Sequence, residues 1–320
     1  MISVIIPTYN AALLIERAIR SVLAQKDVSD FEILVVDDGS TDHTLEVVKA
    51  IDDARIKIFQ QPENRGPAAA RNRGLFAASG EYCALLDGDD FWEPDFLKQT
   101  AAFLTAHPQV VAVSVMQCHK IPGREPVIVP RDTGIAEPVV LPDFFAFWAQ
   151  YQHVCTGSVL MKTSVARATG GQREDLRICE DLEFWARLAT LGPWGFIPEV
   201  LFTSDGGAVT RRQGWLAKNR KRWASAVPVK VWERRLLAAV PEVSLSGYQK
   251  MRGRISRNLC YSLLLAGKTT LARREVLDNG SDFPRNRLNG VFSFAAKNAV
   301  LWALFAWTLQ LREFLRGMKI

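Results

Sequence analysis

The chain has 320 residues, of which 48% are hydrophobic and 23% charged, with a net charge of +6 at pH 7. This excludes a disordered tail and a disulfide-stapled miniprotein, and at roughly 100–200 residues per domain it leaves room for about two domains. Five scattered cysteines (Cys83, Cys118, Cys155, Cys179 and Cys260) without a C-x-x-C pair argue for reduced thiols in a cytosol-like compartment and against a structural zinc site.

In chain order, residues 3–7 read as a short, fully buried strand that Pro7 stops. The start lacks a basic n-region, so no signal peptide is read there. Residues 11–25 carry Leu14, Ala18, Ile19, Val22 and Leu23 at helical spacing. Residues 31–36 form a second apolar run and end in Asp37-Asp38-Gly39-Ser40. Thr41 or Asp42 can cap the next helix, whose apolar face holds Leu45, Val48 and Ile51. Residues 55–59 read as a third strand and 67–76 as a helix ended by Gly80. Residues 82–86 read as a fourth strand, ending in Asp87-Gly88-Asp89-Asp90. A further strand is expected over 110–116, an extended loop over the proline-rich 120–143, and a helix over 181–191. Helices alternating with continuously apolar strands predict an α/β domain with a mainly parallel sheet.

Two acidic clusters, Asp37-Asp38 and Asp87/Asp89/Asp90, fall at the C-terminal ends of predicted parallel strands. Open α/β sheets bind ligands at that edge. Grouped carboxylates repel one another unless a cation lies between them, and oxygen ligands suit Mg²⁺ or Mn²⁺ completed by substrate phosphates. The clusters therefore predict a metal–diphosphate site; the rival reading, a helix or turn cap, weighs more for Asp42 and Asp90 than for Asp87 and Asp89. The run Asn64-Arg65-Gly66-Pro67-Ala68-Ala69-Ala70-Arg71-Asn72-Arg73-Gly74 allows close approach of a ligand, and a surface helix explains it as well. None of the four histidines has partners at metal spacing. His43 falls in a predicted helix start and His107 in a turn before Pro108. His119 is isolated, and His153 falls in the segment 151–158 without a partner at metal spacing.

Together SVIIPTYN (3–10), ILVVDDGSTD (33–42), NRGPAAARNRGLFAASGEYCALLDGDD (64–90) and CEDLEFWARL (179–188) resemble, in order and separation, the inverting glycosyltransferase family 2, which has the GT-A fold. The resemblance covers about residues 1–205. It implies that Thr8 and Tyr9 meet the nucleotide base and that Asp38 accepts a hydrogen bond from it, with Asp37 supporting the turn. Arg71 would lie beside the nucleotide. Asp87 would face ribose and metal, and Asp89 would bind the metal, with Asp90 extending the D-x-D. Asp181 matches the general base, Glu180 being the alternative. Of Phe184 and Trp185, one is read as core and the other as acceptor-facing. The implied cofactor is a divalent cation, Mn²⁺ or Mg²⁺. It would stabilise charge developing on the leaving diphosphate while a base activates the acceptor hydroxyl. The implied reaction moves a sugar from a UDP-sugar donor to a hydroxyl of a saccharide or lipid-linked saccharide, in surface polysaccharide or glycolipid synthesis. One departure stands out: Asp205 falls where the family's R-x-H-x-x-S segment has histidine, leaving Asp205, Arg211, Arg212 or the substrate to complete the site.

The chain is expected to divide into a catalytic domain over 1–210 and a basic helical region over 211–320. Residues 1–210 carry 18 Lys+Arg and 28 Asp+Glu, net −10, and residues 211–320 carry 22 and 6, net +16. The basic run Arg211, Arg212, Lys218, Arg220, Lys221 and Arg222, with Trp215 and Trp223 interleaved, reads either as a solvated helical face or as a contact with an anionic membrane surface. Nucleic acid is not expected, because the acidic half would repel it and no binding module is legible. The apolar stretch 291–311 is open to three readings: a helix packed on its own domain or in a homodimer, an in-plane membrane anchor, or a span. Location at the cytoplasmic face of a membrane follows as an expectation. Two rivals are weighed against the transferase. A nucleotidyltransferase would show a Gly-rich basic loop after the first strand, which Pro7-Thr8-Tyr9-Asn10 lacks. An inactive sugar-nucleotide or membrane-binding module has no need of both D-x-D and Glu180-Asp181.

Overall fold

The computed structural model describes residues 1–120, 125–176, 178–205, 220 and 223–317. The chain divides into two compact units, residues 1–175 with 180–212, and residues 176–179 with 213–320.

In the first unit the apolar runs become the strands β1 (Ile2–Thr8), β2 (Phe31–Asp37), β3 (Ile56–Gln60) and β4 (Tyr82–Leu85). They run parallel in the order β3-β2-β1-β4. β1 and β2 are buried at every position, so their sequences are mostly apolar rather than alternating, and the buried polar pair Ser3 and Glu32 is joined by a hydrogen bond of 2.6 Å. The sheet continues from β4 through β9 (Val159–Lys162), β6 (Ala112–His119) and β10 (Trp194–Ser204) to β5 (Phe91–Trp92). β6 and β10 are parallel, whereas β9 is antiparallel to both β4 and β6, and β5 is antiparallel to β10. The sheet is thus mixed, with the long pairings parallel and the short ones antiparallel. The proline-rich segment, expected as loop, also adds two short strands, β7 (Val127–Val129) on β6 and β8 (Val139–Val140) on β10. Edge strands of two or three residues leave most backbone groups outside the ladder, so prolines are tolerated beside them.

Helix α1 (Ile15–Leu23) buries Ile15, Ala18, Ile19 and Val22 against this sheet, as their spacing predicts. After α2 (Thr44–Lys49), helix α3 (Pro67–Ala77) starts with proline at its first position and lies close on β1. At Gly74 a Cβ would stand 2.3 Å from Ile5 Cγ2, so only glycine lets the helix approach this far. The remaining helices are α4 (Phe96–Ala106), α5 (Phe144–Gln150), α6 (Thr163–Ala168) and α7 (Glu180–Ala189).

The second unit is helical: α8 (Val229–Trp232), α9 (Leu245–Leu265), α10 (Thr269–Asn279), α11 (Arg287–Ala296) and α12 (Ala299–Gly317). Trp232, Tyr248, Leu263, Leu264 and Phe292 lie in its core. The apolar stretch 291–311 is not one helix. It breaks at Lys297-Asn298, where Asn298 Oδ1 accepts from the backbone N–H groups of Val300 and Leu301. Among the described residues no helix is long and apolar enough to cross a membrane, which corrects the reading of this stretch as a span. Of the basic run, Arg211, Arg212, Trp215, Lys218, Lys221 and Arg222 lie outside the described residues.

Candidate active site

Parallel register brings the ends of β1, β2 and β4 to one edge. Thr8 is paired with Asp37, and the Asp38 N–H donates to the Thr8 carbonyl at 2.9 Å. The Leu86 N–H donates to the Ile5 carbonyl, which delivers Asp87 beside the same edge. The Thr8 hydroxyl oxygen is buried without a hydrogen-bond partner, and a Cβ on Gly88 would lie 3.5 Å from it. A buried hydroxyl left open beside the D-x-D loop suits a ligand polar group. Tyr9 is 49% exposed at the rim.

The two aspartates of the β2 end are held by the protein. Asp37 accepts from the Ser40 N–H and fixes the turn. Asp38 is buried and accepts from Gln61 Nε2 at 2.7 Å and from the backbone N–H groups of Arg65 and Gly66 at 2.8 Å each. Its carboxylate therefore ties the Asn64-Arg65-Gly66 loop to the sheet, with one lone-pair direction left over for a base. Gly39 makes this turn possible: its φ is +75°, and a Cβ would meet the Glu63 carbonyl carbon at 3.0 Å.

Arg71 lies on α3 and is buried. Its Nη2 donates to both Asp87 carboxylate oxygens at 2.8 and 3.1 Å. Its Nη1 donates to Gln172 Oε1 at 3.2 Å and stands 3.7 Å from Glu180 Oε1. Burial works against the guanidinium charge, but Asp87, then Glu180 and Asp181, outweigh it and raise the Arg71 pKa. Asp89 and Asp90 follow Asp87 into the protein. Burial, then the Asp87 charge, raises the Asp89 pKa. Burial, then the charges of Asp87 and Asp89, pushes Asp90 up to about 8. Asp90 Oδ1 accepts from the Asp205 N–H at 3.0 Å. Among the described residues no basic side chain forms an ion pair with Asp89 or Asp90. No group of three or more His, Cys, Asp or Glu among the described residues is arranged to hold a metal ion by itself. Crowded, under-neutralised carboxylates with oxygen-only donors fit a hard divalent cation that takes its remaining ligands from water and diphosphate.

Asp205, which stands where histidine was expected, pairs with Arg17 Nη1 at 2.5 Å, and Arg17 Nη2 donates to the Asp89 carbonyl at 2.6 Å. Arg17 also stacks over Phe91 at 4.9 Å. A bridge from α1 to the D-x-D loop and the end of β10 thus occupies this position. The sequence alone did not reveal Arg17, because an arginine on the polar side of an amphipathic helix carries no signal of its own. Gln172 was missed because a single glutamine between two helices carries no signal either. It is buried against Arg71, exchanges backbone hydrogen bonds with the Asn72 side chain at 2.7 and 2.8 Å, and keeps its Nε2 without a partner.

At the other carboxylate pair, Glu180 is buried toward Arg71, whereas Asp181 is partly accessible. Burial raises the pKa of the Cys155 thiol, and the charges of Asp90, Asp181 and Asp87 add to this. Phe184 and Trp185 are both buried, in edge-on contact with ring centroids 4.9 Å apart. This corrects the expectation that one of them faces the acceptor: α7 turns a broad apolar face inward and neither ring is left over. His153 is also a core residue. It is fully buried, bonded through Nδ1 to Ser114 Oγ at 2.9 Å and ringed by Phe144, Phe147, Trp194 and Phe196. His119 bonds Gln117 Oε1 at 3.0 Å, and burial lowers its pKa.

Known proteins share both the sequence and the fold. The profile described as Glycosyl transferase family 2 matches residues 3–152, which carry every site segment before Glu180-Asp181. A Bacillus subtilis (strain 168) protein named as glycosyltransferase EpsE is 32% identical over 66% of this chain and 76% of its own length. The Rhizobium meliloti (strain 1021) succinoglycan biosynthesis protein ExoO is 40% identical over 38% of this chain and 35% of its own length. With several such relatives, the match spans less than half of their length. In structure, S. aureus TarS 1-349 matches with a TM-score of 0.63 at 19% identity, over 99% of this chain and 91% of that one, and has also been solved with UDP and with UDP-GlcNAc. The mannosyltransferase PcManGT of Pyrobaculum calidifontis, solved with GDP-Man and Mn²⁺, matches with a TM-score of 0.52 at 22% identity, over 96% and 86%. A mixed sheet with flanking helices matching these GT-A enzymes, and a relative matched at this identity over most of its length, make the chain a glycosyltransferase of family 2.

Proposed function

We propose that the protein is an inverting, metal-dependent transferase that moves a sugar from a UDP-sugar to a hydroxyl of a saccharide or lipid-linked saccharide. The observation that carries this reading is the set of carboxylates at the sheet edge, Asp87 clamped by Arg71 and Asp89 and Asp90 crowded beside it, with Asp181 partly accessible at the start of α7. Thr8, Tyr9 and Asp38 line the nucleoside end, and Arg71 holds Asp87 toward the ribose and diphosphate. Asp87 and Asp89 would hold Mn²⁺ or Mg²⁺, which when bound stabilises negative charge on a leaving diphosphate. Asp181 takes the proton from the acceptor hydroxyl as that oxygen attacks the anomeric carbon from the face opposite the diphosphate. Glu180 is committed to Arg71 and positions it. The Mn²⁺ of PcManGT, the UDP-GlcNAc of TarS and the role named for ExoO support the metal, the donor class and work in polysaccharide synthesis. Five free cysteines and the +16 charge of residues 211–320 support work at the cytoplasmic face of a membrane, with 1–210 as the catalytic domain.

Thermal shift tests the donor site. UDP, GDP and their sugars, each with Mn²⁺, Mg²⁺ or EDTA, are screened against the parent protein, Asp89→Ala and Asp181→Ala. Ligand binding to the folded state raises its melting temperature by mass action. UDP is expected to stabilise only with metal, Asp89→Ala to abolish the shift, and Asp181→Ala to keep it. The absence of any nucleotide shift in the parent protein with any metal overturns the proposed donor site.

A further inference from the structure

Helices α11 and α12 have an inner face well tied to their own unit. Phe292 stacks edge-on against Phe305 at 4.9 Å, Trp302 Nε1 donates to the Thr269 carbonyl, Gln310 Nε2 to the Leu264 carbonyl, and Arg273 Nε to the Ala296 carbonyl. Their outer face is also apolar. Val300, Leu304, Trp307 and Leu311 follow one another at spacings of four, three and four, the period of a single helical stripe, and are 68%, 58%, 61% and 41% exposed. Leu301 beside them, and Val291 and Phe294 on α11, are exposed too. Large apolar side chains scattered singly over a surface need no explanation, whereas seven on one helical hairpin mark an interaction surface.

The surrounding charge identifies the partner. Residues 283–320 hold six Lys and Arg and one acidic residue, Glu313. Arg285, Arg287 and Lys297 are exposed. A second copy of this chain would bring the same cationic segment against itself, which like-charge repulsion opposes. An anionic lipid surface complements it. The break at Lys297-Asn298, and the lack among the described residues of a helix able to cross a membrane, leave the orientation in the membrane plane, with the stripe in the acyl boundary, Trp307 at the interface and the basic groups at the headgroups.

We propose that the outer face of the α11–α12 hairpin is a lipid-docking surface for anionic membranes. The proposal stands apart from the identity of donor and acceptor, and the full-length protein tests it by vesicle flotation. The parent protein is expected to float with phosphatidylcholine–phosphatidylglycerol vesicles, to bind pure phosphatidylcholine far more weakly, and to be released in part by salt. Leu304→Glu/Trp307→Glu removes two exposed apolar anchors and is expected to weaken binding about tenfold or more with an unchanged circular dichroism spectrum. Arg285→Glu/Lys297→Glu is expected to abolish the preference for anionic lipid while leaving residual apolar binding. Failure of the parent protein to float with either vesicle overturns the proposal, as does equal flotation of the Leu304→Glu/Trp307→Glu variant. So does a parent dimer in sedimentation that this variant makes monomeric while neither binds lipid, which assigns the face to a second copy.

Discussion

In the helical unit, the buried carboxylate of Glu275 accepts from Ser256 Oγ at 2.5 Å, Asn279 Nδ2 at 3.0 Å and the Val229 N–H at 3.3 Å. Glu233 there accepts from the Tyr248 hydroxyl and from Arg252. At the edge of the sheet unit, Asp90 is buried and Asp89 half-buried beside Asp87, and their pKa values rise in part because each feels its acidic neighbours. Glu275 is raised mainly by burial and is otherwise solvated by its own fold. Burying a carboxylate is thus not in itself a functional sign. What separates the two regions is mutual repulsion among neighbouring carboxylates, which Arg17 and Arg71 offset only in part at Asp89 and which a bound cation would relieve.

The sharpest way to break this distinction is to remove the repulsion and measure both activity and stability. Asp89→Ala is expected to lower kcat/KM by about a thousandfold or more, since a metal ligand acts on the charge of the leaving group. The same substitution is expected to hold or raise the melting temperature in chelator. A variant that loses activity together with metal-free stability would place Asp89 in the same class as Glu275.

The next contrast lies within Glu180-Asp181. Asp181→Asn is expected to reduce kcat by about 10²–10⁴-fold, the usual contribution of a general base, while keeping the donor-induced thermal shift. Glu180→Gln leaves the buried Arg71 with one less carboxylate and is expected to destabilise the fold by about 1–3 kcal/mol, less than a tight buried pair because the N–O distance is 3.7 Å. A stable, inactive Glu180→Gln beside an active Asp181→Asn would exchange their assignments.

The features legible in the sequence were those that repeat a period or a motif. β1, β2 and β4 are mostly apolar because both of their faces are covered, and the aspartates at their ends follow from parallel topology. The clamp on Asp87 needed the structure, because Arg71, Gln172 and Glu180 are brought together from three distant segments. Arg17 and Asp205 meet across 188 positions, and neither predicts the other. Phe184 and Trp185 were misdivided because helical spacing gives a direction, not the width of the buried face. The short strands β7 and β8 were missed because two or three residues beside prolines carry no alternation.

The pH dependence of metal-free stability separates the two regions more finely. The native pKa of Asp90, about 8, lies above its ordinary 3.8, so the native state holds a proton that the unfolded state has released. Its contribution is fully present below about pH 4 and is lost as pH rises toward 8. Asp90→Asn removes this slope and keeps an oxygen to accept from the Asp205 N–H. In EDTA it is expected to be more stable than the parent protein at pH 8, by on the order of 3 kcal/mol, with little difference at pH 4.5. Urea denaturation across this range measures it.

Glu275 runs in the same direction for a different reason. Its native pKa is raised above 4.5, chiefly by burial, so its stabilisation is also greatest in acid and declines as pH rises. Three hydrogen bonds to its carboxylate oppose that rise, and Glu275→Gln would trade part of this solvation for freedom from charge. The slope is therefore expected to flatten less than for Asp90→Asn, with no dependence on Mn²⁺ or Mg²⁺. Metal should change the pH profile of the parent protein and of Glu275→Gln alike, and that of Asp90→Asn least. A metal-sensitive Glu275 slope would mean that a buried carboxylate in the helical unit also answers to a cation.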